Sequence, residues 1–276
     1  MATLRQTFSD IASAIRAKGV SGTMKPIEMA SKIGEIQQGL EYGYLTFTAE
    51  EATTLTLKQN GGIAPHKLLK STDGVNWTKW ENPSTNGISL NVGESVYLKA
   101  DEYSLWRTGT GDNPYNKFSS TGRIKCLGDI RSLVKPIALE DYSYFVRGLF
   151  NGCTFLTTAP ELPSTITTTR CYSGMFNGCT SLTSAPELPA TTLAERCYGH
   201  MFNGCTSLTQ VPELPATTLA KYSYSNMFAG CTSLTTAPEL LATTMADYCC
   251  EHMFADCTSL TSAPELPATT LANNCY

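Results

Sequence analysis

The sequence predicts a multidomain chain: a short N-terminal helical hairpin, a small antiparallel β-sandwich and a C-terminal solenoid of 26-residue coils. Three observations carry this. Phe150, Phe176, Phe202, Phe228 and Phe254 stand 26 residues apart, and Cys153, Cys179, Cys205, Cys231 and Cys257 keep the same step. Self-similarity at such a period signals units that bury their apolar faces against one another. Between residues 43 and 135 apolar and polar residues alternate with the period of a strand, whereas ahead of them apolar residues recur at helical spacing. The divisions fall at 1–40, 41–136 and 137–276.

In the first segment Leu4, Phe8, Ile11 and Ile15 share one helical face, with Thr3 placed to cap the start. Gly19 and the Val-Ser-Gly-Thr stretch after it end that helix. Pro26 then sits where a first helical turn accepts it, ahead of Ile27, Met29, Ala30, Ile33 and Ile36. Two helices this short bury too little to be stable alone. They are expected to dock on the next domain or on a partner, and Leu4, Phe8, Ile11, Ile15, Met29, Ile33 and Ile36 are the candidate anchor.

In the second segment Tyr44–Thr48, Thr54–Leu57, Val75–Trp80 and Ser95–Lys99 read as strands. Asp73-Gly74 marks a hairpin, and Gly61-Gly62 and Asn91–Glu94 mark further turns. About seven strands in a sandwich are expected. All the tryptophans, Trp77, Trp80 and Trp106, fall here. A sugar-stacking platform is one reading of them; packing in the core or on a strand face is the commoner fate of such residues.

Within a coil, Leu182, Ala185 and Leu188 predict a parallel strand, with Pro186 and Pro189 flanking a turn. Thr192 and Glu195 form a capping box for a short helix through Leu193, Cys197, Met201 and Phe202, and Gly204 supplies its left-handed end. A second cysteine column, Cys171, Cys197, Cys249 and Cys275, is interrupted by Ser223. An odd first column and a skipped rung in the second do not suit obligatory disulfides, so buried thiols are expected. Glu161, Glu187, Glu213, Glu239 and Glu265 recur in every coil and are expected to fan into water; one carboxylate per coil is a poor cation site. The positions that vary between coils are the recognition candidates: His200, Asn226 and His252 in one column, Arg196, Tyr222 and Tyr248 in another.

Charge narrows the function. Residues 1–140 carry 16 Lys/Arg against 14 Asp/Glu, and residues 141–276 carry 4 against 10. An acidic repeat region is a poor ligand for phosphate backbones, which excludes nucleic acid as its partner. No apolar run approaches the ~18–20 residues of a membrane span, so no membrane insertion is expected. The N-terminus has no apolar signal region. No phosphate loop, metal signature or nucleophile elbow is present, and three scattered histidines make no triad, so neither an enzyme nor a cofactor is expected.

Two resemblances add to this. Ser9-Asp10-Ile11-Ala12-Ser13-Ala14-Ile15-Arg16-Ala17-Lys18, a break, then Lys25-Pro26-Ile27-Glu28-Met29-Ala30-Ser31-Lys32-Ile33 resembles a short N-terminal module of phage and prophage tail proteins. Cys179, Leu182, Leu188-Pro189 and Met201-Phe202 before Cys205 resemble the BspA-type leucine-rich repeats of bacterial surface and phage tail proteins, with Met in place of Ala. The first resemblance implies attachment to tail or baseplate proteins through residues 1–40. The second implies adhesion, through a leucine-rich-repeat solenoid, to a host surface protein or glycan. Together they imply a virion tail fibre or receptor-binding protein assembled in the host cytoplasm. The alternative is a bacterial cell-surface adhesin of the BspA type, which the missing secretion signal disfavours. Trimers are common among tail fibres, so a homo-oligomer is compatible with this reading. Because Tyr276 stops short of the next Met-Phe pair, the native chain is expected to continue or to be covered by a partner there.

Overall fold

The computed structural model describes residues 43–59, 68–101, 116–133, 146–165 and 167–276. The chain divides into two compact units, Met1–Leu40 and Glu41–Tyr276. The expected helical hairpin, with Leu4, Phe8, Ile11, Ile15, Met29, Ile33 and Ile36, lies outside the described residues, as does Trp106.

Among the described residues nine strands form in order: β1 (Leu45–Ala49), β2 (Thr53–Gln59), β3 (Leu68–Ser71), β4 (Thr78–Lys79), β5 (Ile88–Leu90), β6 (Ser95–Ala100), β7 (Asn116–Ser120), β8 (Ile124–Leu127) and β9 (Leu156–Thr158). They build a six-stranded sheet, β4-β3-β6-β1-β8-β9, and a three-stranded sheet, β5-β2-β7. Every pairing is antiparallel except β8 with β9, which runs parallel. The expected purely antiparallel sandwich is corrected on this point, because its larger sheet takes its last strand from the first repeat.

Alternation places the core. In β1 Leu45, Phe47 and Ala49 are buried while Thr46 and Thr48 are half-exposed. Phe47 stands opposite Val96 of β6 and Cys126 of β8, and Leu57 of β2 opposite Phe118 of β7. The strand expected over Val75–Trp80 shrinks to Thr78–Lys79. The Asp73 carboxylate accepts the backbone N–H of Val75 and of Asn76, the Asn76 amide and the Ser71 hydroxyl. A side chain that captures its own following backbone makes a wide turn in place of a two-residue hairpin. These bonds also hold the Asp73 carboxyl well below the usual carboxylate range.

The described residues contain no α-helix, and their one helical segment is a 3-10 turn, Ile130–Leu133. The expected solenoid of strand-and-helix coils is therefore corrected. Where a helix was expected through Leu193–Phe202, the chain makes consecutive tight turns with a left-handed residue at every fourth position: Arg170, Gly174 and Gly178, then Arg196, His200 and Gly204, then Tyr222, Asn226 and Gly230. A left-handed residue breaks the run of negative φ that an α-helix needs. The amides divide their work accordingly. Met175 and Cys179 donate three residues back within the turn, to Tyr172 and Phe176. The alternate residues Phe150, Phe176, Phe202 and Phe228 donate to Met175, Met201, Met227 and Met253 of the following repeat at 2.9–3.0 Å. Nor does the parallel strand expected through Leu182–Leu188 form. Beyond β9 the described repeats share only isolated parallel bridges, such as Ser184 with Gln210 and Thr218 with Thr244.

One column of rings runs through the unit. Phe47 meets Phe118 at 4.9 Å between centroids, Phe118 meets Phe150 at 5.5 Å, and the column continues to Phe254 in steps of 5.5–5.8 Å. The Phe118 N–H also donates to Leu149 at 2.7 Å. A repeat with no neighbour leaves its apolar face bare, and here the sandwich covers that face of the first repeat. All eleven cysteines are free thiols, ten of them buried and Cys257 half-buried. Cys179, Cys205, Cys231 and Cys257 donate S–H to the carbonyls of Phe150, Phe176, Phe202 and Phe228, each 29 residues earlier, at 3.1–3.2 Å. That recurring bond explains a cysteine where a plain apolar side chain would also fit: the thiol is small, apolar and still a weak donor. No helix of the described residues is long and apolar enough to cross a membrane.

Candidate recognition surface

The turns lay out two kinds of column. Tyr172, Met175, Phe176 and Cys179 and their equivalents through Met253 face inward and are buried, while Phe254 and Cys257 are half-buried. The left-handed residues point their side chains elsewhere: Arg170, Arg196, Tyr222, Tyr248 and Asn274 form one column, and Gly174, His200, Asn226 and His252 form the next. A non-glycine residue in this conformation costs about 1–2 kcal/mol, which asparagine reduces by local hydrogen bonding. The strained positions coincide with the columns singled out for recognition.

Four of the six candidates line one hollow of about 320 Å³: Arg196, His200, Tyr222 and Asn226. Arg147, Arg170, Ser173, Ser225 and Glu251 complete its polar lining. The Arg196 guanidinium lies over the Tyr222 ring at 4.4 Å, and Tyr222 stacks on Tyr248 at 4.8 Å with 13° between planes. Tyr248 thus belongs to the same surface through Tyr222, with Lys221 at 5.4 and 5.7 Å from the two rings. His252 is exposed and not part of the hollow's lining. Gly199 forms part of the wall, where a Cβ would come to 3.2 Å from the Tyr222 carbonyl, a tight approach of adjacent repeats; the equivalent positions are Ser173, Ser225 and Glu251.

The electrostatics converge on His200. Burial of its inner side lowers its pKa from the ordinary histidine value, the Arg196 and Arg147 guanidiniums lower it further, and Glu251 opposes them. Glu195 lies 3.8 Å from Arg196 on the rim. Sequence reasoning missed Arg147 and Arg170. A signal was available: the four basic residues of the acidic half, Arg147, Arg170, Arg196 and Lys221, come one per repeat, and Arg170 and Arg196 share a column.

The glutamate column lies at the Pro-Glu-Leu-Pro turns, with Glu161, Glu187, Glu213, Glu239 and Glu265 all exposed. Among the described residues no group of three or more His, Cys, Asp or Glu is placed to hold a metal ion. Trp80 is buried with its indole N–H on the Asn86 carbonyl at 2.8 Å and takes no part in a platform, whereas Trp77 is half-buried beneath Lys99 at 4.2 Å and meets Tyr44 at 5.7 Å, Tyr44 in turn meeting Tyr97 at 4.7 Å. Comparison of the chain with family models, with curated proteins and with solved structures finds no match to any.

Proposed function

We propose that this chain is a non-enzymatic recognition protein of a phage, or of a phage-derived tail particle. Residues 1–40 attach it to tail or baseplate proteins, and the outward columns of the repeats meet the host cell surface. One observation carries this reading. The four repeats from Tyr172 to Cys257 hold the same inward Tyr or Cys, Met, Phe and Cys scaffold, with Val146, Leu149, Phe150 and Cys153 at these positions in the first, while the left-handed outward positions differ: Arg, Arg, Tyr, Tyr and Asn in one column, Gly, His, Asn and His in the next. A scaffold that is repeated inside and varied at the surface suits recognition, since the varied side chains are not fixed by the packing of the repeats. The resemblance of residues 9–33 to tail-protein modules supports the site of attachment.

The test is localisation. Antibody against the repeats, applied to particles from the producing culture and viewed by electron microscopy, is expected to label particle tails. Label on cell envelopes with bare particles would replace this reading by that of a cell-surface adhesin of the BspA type. If the outward columns do the recognising, combined alanine substitutions at His200, Tyr222, Tyr248 and His252 abolish attachment to host cells while the particle still assembles.

A further inference from the structure

The acidic half of the chain places its few cations together. Residues 141–276 hold ten Asp/Glu and four Lys/Arg. Three of those four, Arg147, Arg170 and Arg196, line the single hollow described above, and the fourth, Lys221, stands by the Tyr222–Tyr248 stack at its edge. The five repeated glutamates lie in the separate Pro-Glu-Leu-Pro column, and none lines the hollow. Guanidinium forks match carboxylate and phosphate oxygens in pairs, which makes arginine the residue suited to a fixed anion. The remaining lining is of another kind. Ser225, Asn226, His200 and Tyr222 offer neutral donors and acceptors, and Glu251 is an acceptor that repels a second negative charge. The Asn226 amide already donates to the Ser225 hydroxyl at 3.0 Å, so these groups are oriented. The hollow's volume is at the lower end of the range for small-molecule sites.

We propose that this hollow binds an acidic saccharide, its carboxylate or phosphate held by Arg147, Arg170 and Arg196 and its hydroxyls by Asn226, Ser225, His200 and Glu251. A bare polyanion fits less well, because Glu251 and the rim Glu195 would face its further charges. This deepens the reading of the repeat face as a recognition surface by naming the chemistry of its target.

The experiment is calorimetric titration of the 276-residue protein with four probes: galacturonate, its neutral methyl ester, glucose 6-phosphate and inorganic phosphate. Galacturonate or glucose 6-phosphate is expected to bind, and which of them binds tells a uronate from a phosphate source. Binding is expected to weaken as salt rises from about 0.05 to 0.2 M. The double variant Arg170→Asn, Arg196→Asn keeps side chains that tolerate the left-handed conformation, as Asn274 does in the same column. It is expected to bind about tenfold more weakly or worse. Equal binding of the neutral ester, equal binding by the double variant, phosphate binding as tight as either acidic probe, or no binding of any probe at millimolar concentration would each overturn the proposal. Tail label without acidic-saccharide binding would keep the virion role and lose the ligand. Binding by a protein absent from tails would do the reverse.

Discussion

In the column of Cys171, Cys197, Cys249 and Cys275 the missing rung is Ser223, fully buried, with a hydroxyl that finds no hydrogen-bond partner among the described residues. A buried hydroxyl without a partner costs about 1–3 kcal/mol, whereas a thiol in the same place behaves as a small apolar group. Ser223→Cys is therefore expected to stabilise the protein by about 1 kcal/mol, read as a higher urea midpoint at unchanged slope. A variant no more stable than the parent would mean that the hydroxyl is satisfied in solution. His200 gives a second expectation, with a sign. Its folded pKa is lowered by burial, Arg196 and Arg147 against the opposing Glu251, so the unfolded chain takes up the proton first. The stabilisation from keeping the ring neutral is complete above the ordinary histidine value near 6.5 and is lost as pH falls through the folded value. His200→Asn retains a residue that accepts the left-handed backbone, as Asn226 does one repeat on, and it removes the titration. Melting curves of the two proteins are expected to diverge below pH 6.5, with the variant the more acid-resistant. Parallel curves down to pH 5 would sink the idea.

Among the elements, β7 carries the junction. Phe118 packs between Phe47 and Phe150, and its backbone holds Leu149. Phe118→Ala should cost about 3–5 kcal/mol and loosen the sandwich and the first repeat together. One cooperative unfolding transition, shifted as a whole, is the expected readout. Two separated transitions would show that the sandwich does not cover the stack. The alternation that revealed β1, β2 and β6 in the sequence is the direct mark of one buried face. β9 was not legible as a partner of β8, because nothing local specifies a parallel pairing across 28 intervening residues. The repeat misled for a physical reason. Turns with a left-handed residue every fourth position bury Cys171, Met175 and Cys179 at a four-residue spacing that imitates a helical face. Thr192 and Glu195 completed the imitation with a capping-box pattern. The discriminating mark was the other set of positions, where Gly, Asn, His and Asp, all tolerant of positive φ, recur four apart. The recognition columns were legible because register alone identifies equivalent positions. Arg147 and Arg170 were not, because Arg147 belongs to a different column from Arg196 and the hollow exists only once adjacent repeats are stacked.

At the scale of the whole unit, two gradients run along the stack. One is electrostatic: the five repeated glutamates lie in a column of their own, while three of the four basic residues of 141–276 gather at the hollow, so charge is unevenly placed across an acidic repeat region. The other is stability. Phe202, Cys205 and Leu208 are fully buried between neighbouring repeats, whereas the equivalent Phe254, Cys257 and Leu260 are half-buried and Leu266 and Leu271 are exposed. In stacked repeats each unit draws its stability from its neighbours, so in these 276 residues taken alone opening should propagate from the less covered repeat toward the sandwich. Native-state hydrogen exchange tests this directly. The amides of Phe176 and Phe202, bonded to Met201 and Met227, are expected to exchange slowest. Those of Cys257 and Leu260, bonded only within their own turn among the described residues, are expected to exchange at least about tenfold faster. Protection falling repeat by repeat with distance from β7 would establish nearest-neighbour coupling. Uniform protection from Phe150 to Leu260 would mean that the sandwich and all the repeats open only together, and the hollow at Arg170 and Arg196 would then be as rigid as the core beneath it.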